Sequence, residues 1–65
     1  MSTTLTVEGM SCEHCEQTVE DALEGVSGVT DADADREREA ATVDGDADAA
    51  SLIAAVEDAG YSASA

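Results

Sequence analysis

Two thiols and an imidazole fall within four consecutive residues, Cys12-Glu13-His14-Cys15, in a chain of 65 residues with no other cysteine or histidine. Cysteines three residues apart at a helix start face the same side, close enough to hold one ion or to close one disulfide. Counting ligands narrows the ion. A closed structural zinc site takes four ligands, whereas this chain offers two thiols, one histidine and carboxylates of unspecified reach, with no second pair. Two thiolates with no hard ligand beside them suit a soft monovalent ion of low coordination number, above all Cu(I). The other use of Cys-x-x-Cys is dithiol redox work. A thioredoxin-like fold needs more than 65 residues, and neither Trp nor Pro flanks this pair. Carrier and small redox protein both stay open on these residues. No triad and no Gly-rich phosphate loop suggests an enzyme.

The elements that must position the pair can be read on either side of it. Thr4-Leu5-Thr6-Val7-Glu8 alternates polar and apolar residues, a half-buried strand with Leu5 and Val7 inward and Gly9 as its end. From Glu13 the apolar residues Cys15, Val19, Ala22, Leu23 and Val26 follow helical spacing, with Gly25 as the stop. The pair therefore stands where a strand hands over to a helix. The free amides and dipole of that helix end favour the Cys15 thiolate, and the charges of Glu13 and Glu16 oppose it, so sequence leaves the net effect without a sign.

Beyond Gly28, Val29 to Asp35 and Glu39 to Asp44 alternate Ala or Val with Asp or Thr. Joined by Arg36-Glu37-Arg38, they predict a hairpin, although Ala and Asp are poor strand formers. Asp48 is the expected N-cap of a second helix carrying Leu52, Ile53, Val56 and Ala59, closed by Gly60 in left-handed geometry. Tyr61 to Ala65 supply a short last strand, completing the order βαββαβ in one domain over residues 1–65.

Composition limits the partners. Sixteen acidic and two basic side chains give a formal charge of −14, which excludes a nucleic-acid binder, and no apolar run approaches membrane-spanning length. Met1-Ser2-Thr3-Thr4 does not read as a secretory signal, so a cytoplasmic location is expected, with both thiols reduced. Val, Leu and Ile together number 10 and Phe is absent, a composition that with this charge borders on disorder, yet 13 alanines and the clean switch of hydrophobic period argue for a fold. A chain without Lys, with eight Asp and eight Glu spread along its whole length, has the composition of a protein from a cell that keeps molar salt inside. Charges repel over about 8 Å at physiological ionic strength but only about 3 Å at 1 M.

Gly9-Met10-Ser11-Cys12-Glu13-His14-Cys15 resembles the GM-[TS]-C-x-x-C loop of heavy-metal-associated domains. The likeness covers nearly the whole chain, continuing through Val19, Leu23, Gly28-Val29 and Ala41-Thr42-Val43 to Val56-Glu57-Asp58-Ala59-Gly60-Tyr61. It implies an α+β, ferredoxin-like βαββαβ sandwich, a four-stranded antiparallel sheet with two helices on one face. It also implies a Cu(I) site made by Cys12 and Cys15, in either a free copper chaperone or a domain of a copper-exporting P-type ATPase. Met10 would turn under the loop and Tyr61 would neighbour the site. Ser11 stands where zinc-type members often place an acid, which favours copper. Arg36, where the family commonly has an apolar residue, and Ala32, Ala34 and Ala40, where larger ones are usual, bear on stability rather than on the site.

Each accessory residue has a plainer role beside the functional one. His14 is expected to point to solvent rather than to ligate or bridge copper in a dimer, and Met10 to fill core rather than to offer its thioether. Tyr61 either starts the last strand with its ring on the sheet or shields the site. The expectation is a cytoplasmic Cu(I) metallochaperone, monomeric or a metal-bridged dimer, without membrane insertion. It would pass copper by thiolate exchange to the metal-binding domain of a copper-transporting P-type ATPase. A zinc, mercury or cadmium carrier of the same fold and a small dithiol redox protein are the alternatives.

Overall fold

A computed structural model describes residues 2–65. In chain order the elements are β1 (Ser2–Glu8), α1 (Glu13–Glu24), β2 (Val29–Asp35), β3 (Ala40–Gly45), α2 (Ala49–Asp58) and β4 (Ser62–Ser64). The four strands form one antiparallel sheet in the order β2-β3-β1-β4. This is the ferredoxin-like βαββαβ arrangement, in which each helix crosses over between strands that are not sheet neighbours.

The register explains the core. Leu5 lies opposite Ala41, Val7 opposite Ala63, Ala32 opposite Val43 and Ala34 opposite Ala41, so every inward position of the sheet falls on one face. Val19 and Leu23 from α1 and Leu52 and Val56 from α2 close over that face in a single cluster, all four fully buried. The opposite face is polar. Thr4, Thr6, Glu8, Asp31, Asp33, Thr42 and Asp44 all lie exposed there, with Asp31 directly opposite Asp44.

Several details differ from the sequence expectation. β1 begins two residues early because Ser2 and Thr3 pair with Asp44 and Val43. β3 runs one residue late because Glu39 adopts a left-handed φ of 52° at the hairpin tip. There the Asp35 carboxylate accepts the amides of Glu37 at 3.0 Å and Arg38 at 3.4 Å, a side-chain turn that sequence left as a plain connection. Gly25 ends α1 where expected, yet it keeps right-handed geometry. Asp48 stands at the N-cap of α2 with extended backbone, but its carboxylate makes no capping hydrogen bond. Gly45 is required sterically, since a β-carbon there would overlap the Gly28 carbonyl oxygen. No helix among the described residues is long and apolar enough to cross a membrane.

Candidate metal centre

β1 stops at Glu8, and Gly9 turns the chain with φ 99° into the loop that carries the thiols. Met10, half-buried against the core, anchors this loop from below, while Ser11 and Cys12 remain exposed. Cys12 occupies the N-cap position of α1 with extended backbone. Its carbonyl accepts the amides of Cys15 at 3.0 Å and Glu16 at 3.3 Å, but its side chain caps nothing. The thiol at this cap is thereby left free.

Cys15 lies in the first turn, half-buried, and its sulfur is 3.6 Å from that of Cys12. A disulfide would need about 2.05 Å, so the pair is a dithiol. Ser11 Oγ approaches Cys15 Sγ at 3.7 Å from four residues upstream. Sequence singled out Ser11 for the acid it lacks; its i, i+4 spacing to Cys15 was the signal for this contact.

Tyr61 reaches the site because α2 ends in a defined turn. The Tyr61 amide donates to Val56 O at 3.2 Å and the Gly60 amide to Glu57 O at 3.0 Å, with Gly60 left-handed at φ 101°. This Schellman turn aims Tyr61 back toward the loop. Its ring packs partly against the core and sits beside Gly9, where a β-carbon would lie 3.5 Å from Cδ1.

These neighbours give Cys15 its acidity. Its thiol is lowered from 9.0 to about 6, first by the Tyr61 hydroxyl, then by the Ser11 backbone and hydroxyl and the Cys12 thiol, with burial working weakly the other way. Ser11 and Cys12 stand at 3.7 and 3.6 Å from the Cys15 sulfur, within hydrogen-bond distance for sulfur. Reciprocally, Cys15 pushes the Tyr61 phenol up, which keeps it a neutral donor. The sign that sequence left open is therefore downward. It is set by hydrogen-bond donors from the loop before α1 and the turn after α2 rather than by the acids of the helix.

His14 is exposed, and its backbone carbonyl accepts the Thr18 hydroxyl at 2.9 Å. Among the described residues no group of three or more His, Cys, Asp or Glu side chains converges to hold an ion, so the two thiols stand alone. Such a pair can bind a soft ion in low coordination and stay open to a further ligand.

The sequence pattern of the heavy-metal-associated domain matches residues 4–62. Over 60 residues the chain is 43% identical to the copper chaperone CopZ of Staphylococcus haemolyticus, covering 88% of each. Among solved structures it is similar to a CopZ metallochaperone, with a TM-score of 0.93 at 39% identity over 98% of this chain and 100% of the other. A copper binding domain from HMA7, a P-type ATPase, gives a TM-score of 0.93 at 32% identity, covering 97% of this chain and 89% of that one. The chain belongs to the heavy-metal-associated domain family.

Proposed function

We propose that the protein is a cytoplasmic Cu(I) metallochaperone, a carrier rather than an enzyme. As a single domain it binds the ion through Cys12 and Cys15 and passes it by thiolate exchange to a two-cysteine domain of a copper-transporting P-type ATPase. The observation that carries this reading is the free thiol pair, 3.6 Å apart, one thiol acidified, with no third ligand gathered around it among the described residues. The likeness to copper chaperones and to an ATPase copper-binding domain supports both the cargo and the partner.

The sulfur separation also bears on release. With metal–sulfur bonds of about 2.3 Å, a linear S–metal–S unit separates its sulfurs by about 4.6 Å and a trigonal one by about 4.0 Å. The metal-free pair at 3.6 Å is nearer the trigonal value. An incoming thiolate from the partner adds as third ligand with less opening of the loop than two-coordinate binding demands; one of Cys12 and Cys15 then departs, the partner's second thiolate adds, and departure of the remaining cysteine completes the exchange. Copper then moves by contact rather than through free solution.

Thiol titration with Ellman's reagent tests the assignment. The metal-free protein should present two reactive thiols that Cu(I) protects, and Cys12→Ser or Cys15→Ser should cripple binding. Full Cu(I) affinity in both serine variants would overturn it. The formal charge of −14 without a single Lys supports a second element of the reading, a cytoplasm at molar salt.

A further inference from the structure

β2 is an outermost strand, paired only with β3, and the backbone amides of Ala34 near its end and of Arg36 just past it donate to carboxylates of α1. The Ala34 amide donates to Glu20 Oε2 at 2.9 Å and the Arg36 amide to Glu16 Oε2 at 2.6 Å. The other oxygen of Glu16 pairs with the Arg36 guanidinium at 3.2 Å, the one ion pair among the described residues. Glu16 and Glu20 are one helical turn apart, so the two carboxylates grip alternate amides at the end of β2 and one residue past it.

Glu16 closes the same first turn of α1 that holds Cys15, and that turn lacks an ordinary start. An N-cap side chain satisfies an otherwise free amide and restrains the first turn. Here the N-cap is Cys12, whose side chain caps nothing and whose thiol faces Cys15 instead. A helix start without a cap frays, and fraying would carry Cys15 away from Cys12, Ser11 and Tyr61.

We propose that Glu16 is a positioning residue for the Cys12/Cys15 pair. By fastening the first turn of α1 to the end of β2, it replaces the cap that a metal-binding residue at the N-cap position cannot supply. Arg36, whose amide and guanidinium both meet Glu16, is the counterpart of that fastening. The inference rests on the reading of the two thiols as metal ligands, but its structural half can be measured without metal.

The test compares the full chain with Glu16→Ala, Glu16→Gln and, as a charge control on the same helix, the exposed Glu24→Ala, all in about 3 M KCl and shown folded by circular dichroism. Backbone amide exchange is followed by NMR in the metal-free proteins, and Cu(I) affinity by competition with a chelator. Glu16→Ala should speed exchange at both Arg36 and Cys15 about fivefold and weaken Cu(I) binding about tenfold. Glu16→Gln keeps an oxygen for the Arg36 amide and should restore both to within about twofold, while Glu24→Ala leaves both unchanged. Unchanged Cys15 exchange in Glu16→Ala would overturn the proposal, as would equal defects in the Ala and Gln variants. A parent that binds no Cu(I) would refute the assigned function, and the metal-free exchange data would still decide whether Glu16 holds the turn.

Discussion

Tyr61→Phe deletes one oxygen near Cys15 while keeping the ring that packs against the core and beside Gly9. The hydroxyl is the largest of the influences that lower the Cys15 thiol from 9.0 to about 6. With a midpoint at about 6, the parent thiol is ionised roughly ten to one at pH 7, and each unit of upward movement cuts that ratio tenfold. Alkylation by iodoacetamide follows the thiolate, so its rate at Cys15, located by fragmentation mass spectrometry, should be half-maximal near pH 6 in the parent. The Phe variant should shift that midpoint upward and react severalfold more slowly at pH 6, with Ser11 and Cys12 holding part of the shift. Stability carries the same sign. A thiol whose midpoint is depressed by folding stabilises fully above its ordinary value of 9.0, and loses that contribution as pH falls through about 6. The metal-free parent should therefore gain stability over that window, and the Phe variant should gain less. An unchanged alkylation midpoint in Tyr61→Phe would refute the assigned cause.

Gly45→Ala would drive its β-carbon onto the Gly28 carbonyl oxygen and to 2.9 Å from Val29 Cα, at a φ of 132°, so a loss of about 3 kcal/mol or more is expected in urea unfolding. Gly60→Ala, left-handed but with open space around it, should cost only about 1 kcal/mol; equal losses at the two positions would contradict the steric account. Far-UV circular dichroism should show structure gained between about 0.05 M and 3 M KCl, because −14 charges surround a core of ten small or aliphatic side chains. Bound copper should partly substitute for salt, and identical cooperative melts at both salt levels would contradict this. Stopped-flow transfer of Cu(I) to a two-cysteine ATPase domain should bypass a chelator trap and change little between 1 M and 3 M KCl. Copper found only in the trap, or a rate that collapses with salt, would leave a buffer rather than a chaperone.

The fold was legible wherever side-chain period coincided with burial. Leu5 and Val7, Ala41 and Val43, and the helical quartet Val19, Leu23, Leu52 and Val56 all point inward as their spacing predicts. Even the weak strand formers Ala32 and Ala34 do so, because β2 takes its order from the register with β3 rather than from propensity. Gly60 could be read as a left-handed stop because it follows a clean helical stripe. The thiol pair was legible from spacing alone. What surrounds it was not. The approach of Tyr61 to Cys15 depends on the turn ending α2 and on packing across 46 residues of chain, which no local pattern encodes. The Glu16–Arg36 pair likewise joins residues 20 apart, and although Arg36 stood out in sequence, nothing there named Glu16 as its partner. Asp48 takes the N-cap place its sequence position predicts, yet its carboxylate makes no capping bond, a detail that residue type alone does not settle.

The central claim is that two thiols, and no other ligands, make this protein a Cu(I) carrier. Mass spectrometry under non-denaturing, reducing conditions tests it most directly, with the protein exposed to Cu(I) and Zn(II) together and the Cys12→Ser and Cys15→Ser variants run in parallel. The account predicts one Cu(I) per monomer, or one bridging two monomers, in the parent, little retained Zn(II), and loss of copper in both variants. Preferential retention of Zn(II) by the parent, or copper held equally well without either cysteine, would contradict it.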